Sequence, residues 1–259
     1  MPEALYDRIG RTYAERRRAD VRIAALVDDA LGPAATVLDV GCGAGSYETG
    51  DHRYVAVDPS RVMLDQRGAS AGPAVAGVAE ALPFPDAAFD AALAILTIHH
   101  WTDAAAGLAE VRRVTRGRIV VMTWEADRFA DFWLVKDYLP ESGELDYSFI
   151  DAAGIRALLG PCRTVGVPVP ADCTDGFFAA YWRRPEAYLA EDVRAAISNL
   201  ALLDPGAIER MVSGLSKDLA SGEWQRRHAD LLEMTSYDAG YRLLIAEPTI
   251  KARAPRAGA

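Results

Sequence analysis

Short apolar runs alternate with longer amphipathic stretches along most of the chain. "TVLDV", "RYVAV", "AVAGV", "DAALAIL" and "RIVVMT" have strand length and strand-like composition, and two further runs, "RTVGVPV" and "YRLLIAE", lie nearer the C-terminal end. Between them stand segments of helical period. "DVRIAALVDDALGP" closes on Gly32 and Pro33. "TDAAAGLAEVRRVTRG" opens on an N-cap at Asp103, runs to Gly117, and sets Leu108, Val111 and Val114 on one apolar stripe. This rhythm predicts βαβ units and an α/β, Rossmann-like fold: a seven-stranded, mainly parallel sheet with helices on both faces.

The pattern changes before the last strand. Asp204 and Pro205 form an N-cap and first-turn pair, and Ile208, Met211, Val212, Leu215 and Leu219 follow at helical spacing. A helical insertion is expected over residues 171–236, between core segments 1–170 and 237–250, with a mobile tail at 251–259. Aromatic residues crowd its borders and the loop after the fifth strand: Trp124, Phe132, Trp133, Tyr138, Tyr147, Phe177, Phe178, Tyr181 and Trp182. They serve packing, a lid, or the walls of a pocket, because sites in open α/β sheets lie beyond the carboxyl ends of the strands.

Composition narrows the partners. The 259 residues can bury one large core with an elaborated edge. With 28 Lys and Arg against 37 Asp and Glu, the formal charge of -9 repels phosphate backbones, so nucleic acid is not expected as a partner. The basic run Arg16, Arg17 and Arg18 is short and reads as a solvated helix face. Cys42, Cys162 and Cys173 are far apart with no CxxC pair, which predicts neither a metal site nor a disulfide framework and suits a reducing cytoplasm. No window reaches the ~20 apolar residues of a membrane span, and the N-terminal stretch lacks a signal-like apolar core. A monomer or homodimer is expected.

The informative stretch is "VLDVGCGAGSYETGDHRYVAVDPS", Val37 to Ser60. Gly41, Gly43 and Gly45 follow a strand, so the loop can turn sharply and admit a ligand close to the main chain. Asp39 and Asp58 stand at or near the carboxyl ends of two strands, and Asp58 is where a carboxylate would accept hydrogen bonds from a ribose diol. A dinucleotide needs its pyrophosphate on the N-terminus of a well-formed helix. Here Ser46 replaces the third glycine of that fingerprint, and only "SYETGDH" separates the loop from the next strand, barely two turns of helix at ~1.5 Å per residue. A ligand without phosphate and with a cationic amine near Asp39 suits the loop better.

These residues resemble a known family. "VLDVGCGAG", "VAVDPS" and "GVAEALPFPDAAFDAALAILTIHHW" are similar to successive motifs of class I S-adenosylmethionine-dependent methyltransferases, in the small-molecule branch that includes ubiquinone and menaquinone C-methyltransferases. The similarity runs from about Tyr6 to Thr123. It implies S-adenosyl-L-methionine as cofactor, S-adenosyl-L-homocysteine as product and a small-molecule acceptor. It further implies that Asp39 holds the methionine amino group, that Gly41, Cys42 and Gly43 face the cofactor, and that Asp58 binds the ribose with Pro59 beside it. Met63 would lie against the adenine, Ala79 would offer a backbone N–H and Leu96 a carbonyl. Many relatives carry Asp where Val78 stands here, which leaves Glu80 either to take the adenine amino group or to stand as a surface residue. Tyr47 is left open to touch cofactor or acceptor.

Methyl transfer from a sulfonium needs mainly alignment, and a base only where the acceptor must lose a proton. His99 and His100 follow the fourth strand; His100 is the candidate base, with the pair pointing to opposite sides as in a strand. Tyr6, Tyr13, Trp101, Trp124 and Trp133 are the candidate acceptor-contacting residues, while His52 and His228 read as surface residues and Asp86 as a turn former. The rival functions are an NAD(P)-dependent oxidoreductase and a protein that holds the cofactor without transferring methyl.

Overall fold

The computed structural model describes residues 5–10, 13–69, 71–140 and 150–247. The predicted tail at 251–259 and Tyr147 lie outside the described residues. Seven strands form the main sheet: β1 (Thr36–Val40), β2 (Arg53–Asp58), β3 (Ala74–Ala76), β4 (Phe89–Ile95), β5 (Thr115–Trp124), β6 (Cys162–Gly166) and β9 (Tyr241–Ala246). Their order is β3-β2-β1-β4-β5-β9-β6. Neighbours from β3 through β5 run parallel, whereas β9 is antiparallel to both β5 and β6.

Alternation along the strands divides the apolar residues between two cores. Val37, Leu93, Val120 and Leu243 pack on one face with Ile23, Val27 and Leu31 of α3 (Val21–Leu31). Leu38, Ala92, Val121 and Leu244 pack on the other with Leu108, Val111 and Val114 of α5 (Ala104–Val114). Short helices α1 (Leu5–Ile9) and α2 (Tyr13–Arg16) precede α3, α4 (Arg61–Leu64) follows β2, and α6 (Ala126–Ala130), α7 (Trp133–Tyr138) and α8 (Ala152–Leu159) follow β5. Asp103 caps α5 as expected, accepting from the Ala106 amide at 2.9 Å.

Three element boundaries differ from expectation. The α5 helix stops at Val114 rather than Gly117, because β5 begins at Thr115. Gly117 lies so close to the Asp90 carbonyl of β4 that a Cβ would collide with it, which suits paired strand better than helix surface. "RTVGVPV" divides between two sheets: Cys162–Gly166 joins the main sheet, while Val169–Pro170 (β7) pairs with Ser236–Tyr237 (β8) in a separate ribbon. Pro168 lies at the break and has no N–H to continue a ladder. Thirdly, no helix at all forms in "SYETGDH"; the segment is turns.

The β7–β8 ribbon closes the base of the inserted segment. Within it lie α9 (Glu191–Ala195), α10 (Ser198–Ala201), α11 (Pro205–Ser221), α12 (Glu223–Arg227) and α13 (Ala229–Leu232). Asp204 caps α11 through the Gly206 and Ala207 amides. Met211 and Leu215 are buried there, and Ile208, Val212 and Leu219 pack at the margin of the same cluster.

Trp133 belongs to this packing, not to an acceptor pocket. It is buried among Trp224, Tyr188 and His228, and its indole N–H donates to the Trp182 carbonyl at 2.9 Å. His228 is not a surface residue either: it stacks beside Trp133 and Trp224 and contacts Asp137 at 3.0 Å. His52 likewise has a largely covered ring that bridges Ala34 and Asp28. Asp86 forms an exposed ion pair with Arg113 of α5 at 2.9 Å. Trp133→Ala should lower stability by about 3–5 kcal/mol, read as a fall in denaturant midpoint at unchanged slope.

Candidate active site

The reversal of strand order around β1 places a crevice beyond the carboxyl ends of β1, β2 and β4. In register, Val40 lies beside Val57, so the glycine loop leaves the sheet next to Asp58. The loop folds onto that neighbour. The Gly41 and Cys42 amides both donate to the Val57 carbonyl, at 2.7 and 3.2 Å, Gly43 donates to Asp58 Oδ2 at 2.8 Å, and Gly45 donates to the Cys42 carbonyl at 2.9 Å. Gly41 has φ +70°, and a Cβ there would strike the Thr97 side chain. Donors that a pyrophosphate would use are thus already engaged within the protein, and no helix dipole lies behind them.

A cavity of about 770 Å³ opens over this loop. Asp39, Gly41, Cys42, Gly43, Asp58 and Pro59 line it at one end. Met63, Val78, Ala79, Glu80, Trp101 and Asp103 line it further on, and Leu96, Tyr6, Tyr13 and His100 complete the wall. All ten residues expected around the cofactor therefore face one cavity. Tyr6 and Tyr13 come from the N-terminal segment, which closes over the crevice through Ser60 Oγ to Asp7 (2.6 Å) and Gln66 Nε2 to the Gly10 carbonyl (2.7 Å).

The two carboxylates differ. Asp58 accepts amides from Gly43 and Ser60, both at 2.8 Å, and burial still raises its pKa above the ordinary value because those bonds offset only part of the desolvation. Asp39 is 3% exposed and takes no hydrogen bond among the described residues. Burial, followed by the nearby Glu48 charge, raises its pKa well above the usual range despite Arg67. A buried carboxylate without donors, open to a cavity, is a receptor for a cation. Glu80 Oε1 accepts from the Asp103 amide at 3.1 Å, which fixes its side chain at the cavity rim.

A second, smaller cavity of about 70 Å³ adjoins the first, and Tyr6, Arg17, Leu96 and His100 line both. Leu96 stands at the end of β4 with φ +49°, a left-handed conformation that strains a residue with a Cβ. His99, Trp124, Phe129, Phe177, Phe178 and Ser198 furnish further walls. The histidines do not point to opposite sides. They occupy a 3₁₀ turn, Ile98–His100, rather than strand, and their rings lie 3.8 Å apart, with His99 against Trp124 and His100 against Tyr6. Tyr6 Oη lies 3.2 Å from His100 Nε2.

Four placements correct the sequence-based expectations. Trp101 lines the larger cavity and packs on α5 at Gly107, so it serves the cofactor side rather than the acceptor side. Tyr47 reaches the larger cavity with its ring alone: it is buried and its hydroxyl is committed to Asp175 at 2.7 Å. His100 does not titrate near the ordinary histidine value; burial and the Arg17 charge push it down to about 4, and His99 is likewise held well below the ordinary value by burial and its neighbour His100. Arg17 is no solvated residue. Its Nε binds Asp175 at 2.7 Å and its Nη1 donates to Tyr13 at 2.6 Å, inside the molecule. Arg16, paired with exposed Asp192, and Arg18 keep the expected surface character of that run. Nothing local distinguishes the arginines, because the partner Asp175 lies 158 positions away.

A family model described as a methyltransferase domain matches residues 38–121. The chain is 37% identical over 183 residues to the demethylmenaquinone methyltransferase of Mycolicibacterium paratuberculosis, covering 67% of this chain and 66% of that one. It is 36% identical over 100 residues to the malonyl-[acyl-carrier protein] O-methyltransferase of Erwinia pyrifoliae, covering 36% of this chain and 38% of the relative. Both figures leave at least a third of those relatives unmatched. A solved structure from Anabaena variabilis, assigned to methyltransferases of an antibiotic biosynthesis pathway, superposes with TM-score 0.83 at 32% identity, over 89% of this chain and 98% of its own.

The depressed histidines make a prediction about acid stability. Between pH ~6.5 and ~4 the unfolded chain takes up protons that folded His99 and His100 refuse, so their contribution, complete above pH ~6.5, is lost as pH falls. Raised Asp39 and Asp58 act in the opposite sense. His99→Asn/His100→Asn should therefore lose less stability than the parent between pH 6.5 and 4.5 in thermal melts; equal losses would contradict the assignment.

Proposed function

The chain belongs to the class I S-adenosylmethionine-dependent methyltransferases, and on that premise we propose that it transfers a methyl group to an O, N or C atom of a small-molecule acceptor. The observation that carries this reading is the pairing of cavities: a large one over the glycine loop, with one carboxylate that has no donor among the described residues, and a small aromatic one against its His100 wall. The large cavity fits a phosphate-free cationic nucleoside. Asp39 would receive the methionine ammonium, Asp58 the ribose hydroxyls, and Met63, Ala79 and Glu80 the adenine end. When bound, S-adenosylmethionine supplies a methyl group already activated by its sulfonium.

The protein supplies alignment, a contribution of up to ~7–11 kcal/mol when reacting atoms are held in line. Leu96 and His100 form the border across which the methyl would pass. Residues 171–236 act as an acceptor lid in this proposal, since Phe177, Phe178, Ile197 and Ser198 reach the small cavity from that segment. The engaged loop amides weigh against the nicotinamide-dependent rival. Among the described residues no helix is long and apolar enough to cross a membrane. We infer a cytoplasmic protein from three unpaired cysteines, and no nucleic-acid partner from the charge of -9.

With a pKa of about 4, His100 is neutral across the physiological range and a weak base, so its role is to hold the acceptor by a hydrogen bond. His100→Ala should reduce kcat by about 2–10-fold, the worth of one neutral hydrogen bond, rather than the ~10²–10⁴-fold of a lost general base. Asp58→Ala should weaken S-adenosylhomocysteine binding by about 10–100-fold in titration calorimetry. Calorimetry in which NADH binds and S-adenosylhomocysteine does not would overturn the proposed function.

A further inference from the structure

Arg17 is the unusual feature of the small cavity. Among the described residues that line it, Arg17 is the one carrying a formal charge at neutral pH; the others are aromatic, aliphatic or neutral polar groups, and no carboxylate is among them. Its counterion Asp175 is fully covered and lines neither cavity, whereas Arg17 lines both. The pair is thus oriented, with its cationic end at the junction where acceptor and methyl group would meet. Tyr47 also donates to Asp175, and Tyr13 accepts from Arg17, so the guanidinium is anchored from behind. A net-acidic protein has built a buried cation into the wall of its acceptor site.

Resting on the methyltransferase reading, we propose that the acceptor is a delocalised oxyanion, a carboxylate or the enolate of an acidic 1,3-dicarbonyl, bound through Arg17 and oriented by His100 and Tyr6. Such an acceptor needs no base, in keeping with a wall that has none of adequate strength. A lone pair on its oxygen, or on the central carbon of the enolate, attacks the methyl carbon. The carbon–sulfur bond breaks with its electron pair going to sulfur. The acceptor's negative charge and the sulfonium's positive charge cancel, and no proton has to leave. The tight cavity admits roughly one flat ring or short chain, and Trp124, Phe129 and Phe178 supply faces for it to pack on.

The test uses pairs of probes alike in shape and unlike in charge: benzoate with benzamide, and 1,3-cyclohexanedione with cyclohexanone. Each is titrated into the full chain saturated with S-adenosylhomocysteine, with the fluorescence of the cavity tryptophan as readout. The charged member of at least one pair should bind about 10–100-fold tighter, and which pair discriminates more tells carboxylate from enolate. Arg17→Gln alone leaves Asp175 buried without its partner, so the companion variant is Arg17→Gln/Asp175→Asn, checked by thermal melting. The readout is the ratio within each pair, which a purely structural role for Arg17 would leave unchanged. Collapse of that ratio towards one in the double variant supports the proposal. Equal binding of charged and neutral members by the parent protein, or a ratio that survives in the double variant, overturns it. Failure of the parent to bind S-adenosylhomocysteine while benzoate is still preferred would remove the methyltransferase reading and leave the oxyanion site standing.

Discussion

The seal between the glycine loop and the end of β2 governs the site. A loop whose amides bond to the Val57 carbonyl and to Asp58 must lie flat against its neighbour strand. It therefore cannot wrap a phosphate, and what it offers a ligand is close approach to Cα atoms. The seal depends on register, since Val40 beside Val57 brings the loop to the right height. It depends also on Thr97 occupying the space a side chain at position 41 would need. Parallel pairing of β1 with both β2 and β4 makes all three ends converge, and Asp39, Asp58 and Leu96 meet there as a consequence.

Electrostatics then separates the crevice into two regions of opposite character. At one end lie the carboxyls of Asp39 and Asp58, held above their ordinary pKa chiefly by burial. At the other stands the Arg17 guanidinium, and the histidines there are held below their ordinary pKa by burial and, to a lesser degree, by that charge. Burial disfavours the Arg17 charge itself, yet Asp175 and the tyrosines around it outweigh that penalty and keep the guanidinium protonated. In the proposed reading a cation binds beside the carboxylates and an anion beside Arg17, with Leu96 and His100 shared by both cavities. Opposite polarities at the two ends also orient each ligand before any contact-level recognition.

Much of this arrangement was legible from residue patterns because it rests on local rules. Hydrophobic runs of strand length, the Asp103 and Asp204 caps and the Gly-x-Gly-x-Gly loop are each encoded within a few neighbouring positions. The cofactor-side residues follow from them, since the carboxyl ends of parallel strands share one side of the sheet. Trp133 could not be placed the same way. It looks like any aromatic near a loop until α11 and α12 fold back and Trp224 and Tyr188 enclose it. The direction of the histidines is hidden for a related reason: strand alternation would send adjacent side chains to opposite faces, whereas the chain turns into a 3₁₀ helix one residue before they begin.

What the sequence by itself determined is the sheet, its mainly parallel sense and the family of its cofactor loop, because backbone conformation and binary pattern depend on near neighbours. Only the tertiary structure decided the polarity of the acceptor cavity. Arg17 among arginines reads as solvent-facing until Asp175, from the distant inserted region, meets it and draws it inside. Charge, burial and pKa are properties of the surroundings, and the surroundings of Arg17 and His100 come from segments more than 90 positions apart.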